Sequence, residues 1–547
     1  MNGDVHFEYG ELSYEPTIPA MWSSVSGQQG DKDFIVAAAA DGSVERVSYT
    51  EADRASRDMA ARLLAGGVGK ATRVGILAPN GPDFMVAFLA VTRIGAVAVP
   101  VNTFFQPPEL EWLFRDADLH TVLAVPTLLG RPTRERLEAA IPGLADAGEG
   151  PLLLGAMPQL RQVLPLGDGA EGWSGWPEPV AEAMVGACER SVRPADDLVV
   201  IYTSGSTANP KGVIHVHGTA IRHAHFISSS HGWVPDDRVY VPMAFFWVGG
   251  LIFGVLGPMQ LGVTILTEHR FDPGEVLHLL ADERATYATG FPHVGPALAN
   301  HPDFATTDLS SLREGYQQVL LAPEKRTDDP SLRVFQLGMT ETCSSHTWWP
   351  PHEQVPEEKR GSVGVSGPGY EHKLVDEEGE EVGAGEVGEI CVRGDALMRG
   401  MVGRLRSELL DRDGWYHTGD SGTRDADGHI YFGGRTDEMI KTSGANVAPV
   451  EVEALLSALP EVRIAYVVGV PDPDKGAVVT GIVVLNRGAE ATEDDLRAAC
   501  RASLAAYKVP KRWEILRDDA VLPYTTTNKL DRREAVKRLL DGPLVED

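Results

Sequence analysis

The run Leu198-Val-Val-Ile-Tyr202 and the loop it opens into constrain this chain more than any other stretch. An unbroken apolar run of that length reads as a buried strand. It continues into Thr203-Ser-Gly-Ser-Thr-Ala-Asn-Pro-Lys-Gly212. Glycines at 205 and 212 let the backbone approach an anion. The hydroxyls of Thr203, Ser204, Ser206 and Thr207 and the backbone N–H groups donate to phosphate oxygens, and Lys211 adds positive charge. The pattern is not a Walker A loop. The spacing from Gly205 to Lys211 is wrong, Pro210 stands where the second glycine belongs, and no Ser or Thr follows the lysine.

Residues 51–65 are amphipathic, 73–77 read as a strand, 83–94 as a helix and 96–100 as the next strand. Such alternation argues βαβ sheets with helices on their faces, and it continues to about residue 360. From Gly361 the texture changes to short glycine-rich strands at 370–375, 388–393 and 429–432, a β-rich subdomain over about 361–436. Gly433-Gly-Arg-Thr-Asp437 is expected to be a linker. Beyond it come a strand pair, a helix at 450–459, strands at 465–470 and 481–485 and a helix at 493–504. The expected architecture is therefore α/β. A large N-terminal domain, 1–436, of mixed βαβ sheets plus the β-rich subdomain is followed by a small α+β C-terminal domain, 437–547.

Composition excludes more than it assigns. At 547 residues the chain exceeds a single core, so two or three domains are expected. A net charge of −29 and the lack of a basic stripe with interleaved aromatics argue against nucleic acid as a partner. Cys188, Cys343, Cys391 and Cys500 form no CxxC pair, so spacing suggests neither a zinc site nor a disulfide framework. Met1-Asn-Gly-Asp-Val-His has neither a charged n-region nor an apolar h-region, and apolar runs such as 245–256 are too short to span a bilayer. A cytoplasmic enzyme with no membrane partner is expected. His215, His217, His223 and His225 would share a strand face, but no carboxylate or cysteine joins them, so a metal site is not expected there. Cys343 has no base beside it and reads as a buried core residue.

Several stretches together resemble the adenylate-forming superfamily that includes acyl-CoA synthetases, peptide-synthetase adenylation domains and luciferases. They are Thr203–Gly212, Gly338-Met-Thr-Glu341, Tyr416-His-Thr-Gly-Asp420, Gly434-Arg435, Gly444-Ala-Asn-Val-Ala-Pro-Val-Glu451 and Asn528-Lys529, in the family's order from about residue 45 to the C-terminus. The resemblance implies a phosphate-binding role for Thr203, Ser204, Gly205, Ser206, Thr207 and Lys211. It implies Thr340 at the α-phosphate and Glu341 as the Mg²⁺ ligand. Asp420 would accept from the ribose hydroxyls, and Arg435 would reach ribose or phosphate. Asp437 would be the hinge of a mobile C-terminal lid, which brings Lys529 to the α-phosphate and carboxylate for adenylation. The implied cofactors are ATP or acyl-AMP, Mg²⁺ and CoA.

Val241-Pro-Met-Ala-Phe-Phe-Trp-Val-Gly-Gly250 resembles the segment that lines the acyl pocket of acyl-CoA synthetases. Phe245, Phe246, Trp247 and Gly249, joined by Phe291, form an apolar wall with no acid to pair a substrate ammonium. A bulky apolar carboxylic acid is favoured over an amino acid. Gly444 resembles the residue lining the pantetheine channel, which favours CoA and leaves a carrier protein open as acceptor.

The pattern departs from the family around adenine. The segment 312–335 is short and lacks the usual paired glycines, and Leu337 replaces the aromatic that stacks on the base. Such stacking contributes about 1–3 kcal/mol per base, worth roughly tenfold to a hundredfold in affinity. ATP loses more than acyl-adenylate does, because the adenylate keeps its acyl anchor. The expected function is an acid–thiol ligase whose adenylation step is possibly impaired. The alternatives are thioester formation alone from acyl-adenylate supplied by a separate adenylating enzyme, an acyl carrier protein ligase, and a non-catalytic acyl-nucleotide binding protein.

Overall fold

Ser48 opens the first long helix, Tyr49–Ala65, by a reciprocal cap in which Glu51 N–H donates to Ser48 Oγ and Ser48 N–H to the Glu51 carboxylate. Trp22, Phe34 and Tyr49 pack their rings together beneath it at 5.0–5.6 Å. The computed structural model describes residues 11–544 except 148–149, 168, 170–172, 204–209, 292–293, 327–328, 330–331, 351–352, 436–437, 443–444, 473–475, 505–507 and 526–528.

The chain divides into two compact units. The first comprises Met1–Arg360, Ser366–Glu371 and Gly394–Leu409, and the second Gly361–Val365, His372–Arg393 and Leu410–Asp547. The β-rich strands therefore group with C-terminal residues, whereas the sequence reading placed them in the N-terminal domain.

The first unit holds two twisted sheets. One follows the order 400–401, 211–216, 197–203, 97–100, 73–77, 121–124, 162–165. Its five central and right-hand members pair in parallel, and 211–216 returns antiparallel to 197–203. The other runs 314–315, 287–288, 238–240, 264–268, 33–38, 44–48, with only the last pair antiparallel. The elements expected at 51–65, 73–77, 83–94 and 96–100 are present as Tyr49–Ala65, Arg73–Leu77, Pro82–Arg93 and Val97–Pro100. Helix Pro82–Arg93 ends in the buried Arg93, whose guanidinium is held by Asp53 at 2.7 Å and Glu189 at 2.9 Å.

In the second unit, strands 362–366, 430–435, 416–424, 388–394 and 370–375 lie side by side in that order. Here the expected linker needs correction. Gly433, Gly434 and Arg435 belong to strand Ile430–Arg435, with Gly434 opposite Ser421 and Arg435 opposite Asp420. Gly434 takes φ +105°, and a side chain on Gly433 would come within 3.2 Å of the Ser421 carbonyl. The glycines serve close strand approach and a positive φ rather than a joint.

A second sheet of this unit, 462–472, 476–485 and 512–516, separates two apolar clusters. Val467, Val483 and Leu485 face helices Pro449–Ser457 and Glu493–Ser503 through Val452, Leu456 and Leu496. Val468, Ile482 and Val484 face helix Arg532–Asp541 through Ala535 and Leu539. The period of two along the strands decides which residue meets which helix.

Candidate active site

In the first unit, Asp197–Thr203 and Lys211–Val216 form a hairpin whose mouth is the pair Thr203 and Lys211, both half-buried. Ser204, Gly205, Ser206 and Thr207 lie outside the described residues. Gly212 is required where it stands, because a Cβ there would meet the Tyr202 ring and Val402 at 2.8 Å. Tyr202 is fixed in turn by a 2.6 Å hydrogen bond to Asp116.

Three residues past the glycine, His215 is fully buried and its Nε2 lies 2.7 Å from the Thr340 carbonyl oxygen. Burial lowers its pKa to about 4, so the ring is neutral near pH 7 and Nε2–H donates. This bond ties strand Lys211–Val216 to the turn Thr340–Thr342. The same turn is held from three further directions. Met398 N–H donates to the Glu341 carbonyl at 2.8 Å, Tyr370 Oη–H donates to the Thr342 carbonyl, and Thr342 Oγ1 donates to the Ser344 carbonyl at 2.8 Å. Cys343 follows in the left-handed region at φ +57°, which is uncommon outside glycine. Its thiol is buried, and burial pushes its pKa well above the ordinary value. The Thr340 and Glu341 side chains are half-buried on this braced turn. A carboxylate is the hard oxygen donor that Mg²⁺ prefers, so Glu341 fits the ion the resemblance implies.

The apolar segment divides in two. Phe245 is drawn into the core, edge-on to Phe84 at 5.5 Å, and its N–H donates to Asn80 Oδ1 at 2.8 Å. Asn80 Nδ2 also donates to the Met243 carbonyl and Thr267 Oγ1, which fixes the segment. Phe246 and Trp247 instead join a chain of edge-to-face rings, Phe104–Phe246–Trp247–Phe291, with centroids 5.9, 5.0 and 6.3 Å apart. Phe104 and Phe291, at its ends, are each 43% exposed. Phe104 was not singled out from sequence, because it lies far from 245–249 along the chain. Gly249 begins a π-helix, Gly249–Leu256, a form seen mostly as short insertions near functional sites. A Cβ on Gly250 would sit 2.0 Å from the Ala244 carbonyl oxygen, whereas one on Gly249 would meet only Met243 Sδ at 3.7 Å.

In the second unit, Asp420 and Arg435 face each other across two strands, and Arg435 Nη1 donates to Asp420 Oδ1 at 2.9 Å and to the Thr418 carbonyl at 3.1 Å. The stretch of strand Tyr416–Arg424 that carries Asp420 is cross-braced. Thr418 Oγ1 donates to the Ile390 carbonyl at 2.6 Å, Asp420 N–H donates back to Thr418 Oγ1, and Gly419 N–H donates to Glu389. Gly419 takes φ +72° within the strand, so this irregular stretch uses glycine's freedom. Lys529 is exposed, and Thr525 N–H donates to its carbonyl at 2.8 Å. Asp437 and Gly444 lie outside the described residues.

The histidines do not share a strand face. The strand stops at Val216 and His217–Ser230 is a helix, whose residues recur every 3.6 rather than every second position. His217 Nδ1 accepts from Ile18 N–H at 3.1 Å. Among the described residues, the groupings able to hold a metal are Glu389–Cys391–His417 and Asp425–Asp427–His429. No helix among them is long and apolar enough to cross a membrane.

Comparison with known proteins agrees with this geometry. Residues 22–402 match the AMP-binding enzyme family, and 451–529 match the AMP-binding enzyme C-terminal domain. Feruloyl-CoA synthase of Amycolatopsis sp is 33% identical over 499 residues, covering 90% of this chain and 94% of the relative. Indoleacetate–CoA ligase of Aromatoleum aromaticum is 29% identical over 503 residues, covering 90% and 93%. The fold matches that of the anthranilate CoA ligase AuaEII in complex with anthranoyl-AMP, with a TM-score of 0.79 over 98% of this chain and 100% of that one at 24% identity. The chain belongs to the AMP-binding enzyme family, and within the adenylate-forming superfamily it is an enzyme of the acyl-CoA synthetase and ligase branch.

Proposed function

We propose that this enzyme forms the CoA thioester of a bulky, ring-bearing carboxylic acid through an acyl-adenylate. The observation that carries the substrate class is the ring chain Phe104–Phe246–Trp247–Phe291. Aromatic pairs prefer such edge-to-face contacts, so a planar acid adds to an existing motif. Ferulate and indoleacetate, named for two relatives, are acids of this kind.

In this reading the acid's carboxylate oxygen attacks the α-phosphorus of ATP, and the bond to pyrophosphate breaks. The CoA thiol then attacks the acyl carbon of the mixed anhydride, and AMP leaves. Residues 203–207 and Lys211 hold the phosphates, and Thr340 orients the α-phosphate. Glu341 would hold Mg²⁺, which would supply positive charge against the phosphates. Asp420 accepts from the ribose diol, with Arg435 holding its carboxylate in place. Lys529 acts in the first half-reaction, and rotation about Asp437 brings Gly444 to the thiol channel for the second. Offering a panel of aromatic and aliphatic acids with ATP, Mg²⁺ and CoA, and following both pyrophosphate and CoA ester, tests the reading. Turnover confined to short aliphatic acids would defeat the substrate class.

A second reading rests on Leu337. It is 8% exposed, and its backbone is pinned on both sides, N–H to Thr347 Oγ1 at 2.7 Å and carbonyl to the His346 and Thr347 N–H groups. With an aliphatic residue where the family stacks an aromatic on adenine, ATP binds weakly and thioester formation from ready-made acyl-adenylate is retained. A separate adenylating enzyme would then supply the substrate. CoA ester formed from synthetic acyl-adenylate but not from acid plus ATP would support this reading, and normal pyrophosphate release would dispose of it. Replacing CoA by a holo-carrier protein in the same assay settles the acceptor.

A further inference from the structure

Glu389 and Cys391 alternate by two along strand Gly388–Gly394, and Cys391 pairs directly with His417 on strand Tyr416–Arg424. A register shift between Glu389 and Cys391 brings Glu389 to the same histidine. His417 Nδ1 lies 3.5 Å from Cys391 Sγ and 2.8 Å from Glu389 Oε2. One ligand atom from each of the three residues falls within 4.8 Å of the other two.

We propose that Glu389, Cys391 and His417 form a zinc-binding site, with Asp411 orienting the histidine from behind. The donor set is thiolate, imidazole and carboxylate, the three ligand types that Zn²⁺ takes. With Zn–S of about 2.3 Å and Zn–N of about 2.0 Å, two tetrahedral ligands stand about 3.6 Å apart. The sulfur–nitrogen separation of 3.5 Å already meets that spacing. A nitrogen and an oxygen each about 2.0 Å from Zn²⁺ stand about 3.3 Å apart, so the Glu389 oxygen needs to retreat by about 0.5 Å from its 2.8 Å contact with Nδ1. Glu389 is able to do so without losing its anchor, because its other oxygen accepts from Gly419 N–H at 2.9 Å.

The outer-shell partner is also at hand. His417 Nε2 faces Asp411 Oδ2 at 3.8 Å, and an approach of under about 1 Å would make the carboxylate–histidine hydrogen bond that fixes the tautomer presenting the opposite nitrogen to a metal. Asp411 is itself held by the Asp413 and Trp415 N–H groups, both at 2.9 Å. Lys373 Nζ lies 3.7 Å from Asp411 and above the Trp415 ring, so the acidic cluster is partly balanced before any ion arrives. Val375 and Trp415 close the apolar side beside Cys391. Three protein ligands leave the fourth position to water, on the side where His417 is 43% exposed. Sequence spacing gives no hint of this site, since Glu389 and Cys391 share one strand and His417 comes from another, 26 residues past Cys391. The ion would join Glu389 to His417, next to the Thr418–Asp420 segment of strand Tyr416–Arg424, and so stiffen it.

The test uses tag-free, full-length protein, reduced and stripped with chelator, then titrated with Co²⁺ and Zn²⁺. The expected result is one equivalent of Co²⁺ bound with a thiolate-to-cobalt charge-transfer band, which one equivalent of Zn²⁺ removes. Cys391→Ser abolishes the band, and Asp411→Asn weakens Zn²⁺ binding by about tenfold to a hundredfold. Absence of the band in the unmodified protein overturns the proposal, as does a band that persists in Cys391→Ser. Loss of Zn²⁺ binding on Asp427→Asn with retention in His417→Gln would assign the ion to the other cluster and overturn it equally. The half-exposed His417 keeps the test independent of folding, because His417→Gln removes a ligand without opening the core, and unchanged Zn²⁺ affinity in that variant is fatal by itself.

Discussion

The Nε2 atom of His215 lies 2.7 Å from the Thr340 carbonyl oxygen. It joins strand Lys211–Val216 to the turn that carries Thr340 and Glu341. Replacing His215 by Ala leaves that carbonyl without its donor, in a buried place where an unmade hydrogen bond costs about 1–3 kcal/mol. Adenylate formation is expected to fall by about tenfold or more through loss of positioning. Pyrophosphate-release kinetics check this, and an unchanged kcat/KM would show the bond to be structural only.

The same residue makes stability depend on acid. Burial lowers the pKa from 6.5 to about 4 for His215 and to about 3 for His217, His223 and His372. A folded-state pKa below the unfolded value means that the unfolded chain takes up protons first as pH falls. The stability these neutral rings contribute is complete above pH 6.5 and drains away as pH falls towards 4 and 3. Thermal melting between pH 7.5 and 4.5 should show Tm falling steadily below about pH 6.5, and His217→Asn should flatten the slope.

Asp420→Ala is expected to reduce nucleotide-dependent turnover strongly while leaving the fold intact. It removes one acceptor of Arg435, whose side chain keeps the Thr418 carbonyl and is 39% exposed to water. Circular dichroism melting beside KM for ATP or acyl-adenylate separates the outcomes. A collapsed Tm with normal KM would make the pair structural.

Gly250→Ala and Gly249→Ala form a matched pair. The first puts a Cβ 2.0 Å from the Ala244 carbonyl oxygen, and the second meets only Met243 Sδ at 3.7 Å. Overpacking of the first kind costs about 1–3 kcal/mol or more. Gly250→Ala should lower Tm by several degrees and Gly249→Ala should not, as read by differential scanning fluorimetry.

Trp247→Leu is expected to raise KM for aromatic acids and leave KM for CoA unchanged. The lost ring pairs are worth about 0.5–1.5 kcal/mol each beyond area burial, so a shift of up to about tenfold is expected. Equal loss for aliphatic and aromatic acids would point to general pocket damage.

Much of this protein is legible along the chain. The capping box at Ser48–Glu51, the apolar run at 198–202 and the alternation through residue 100 are local patterns. Their structural consequence follows from propensity and burial alone, and they give the α/β class and the phosphate-loop strand. The ordered motifs gave the family because each occupies a fixed place in the sequence. What sequence could not decide is convergence. The Gly433–Gly434–Arg435 stretch reads as a linker until Asp420 and Ser421 are seen opposite it. His215 reads as one of a row of histidines until the Thr340 carbonyl meets it 125 residues later. Phe104 has no local mark that joins it to Phe246. Cys391, Glu389 and His417 share no spacing rule and meet only through a strand register shift. Each of these is a contact between segments distant in sequence. Local preference sets which elements form, and the packing of those elements sets which side chains meet.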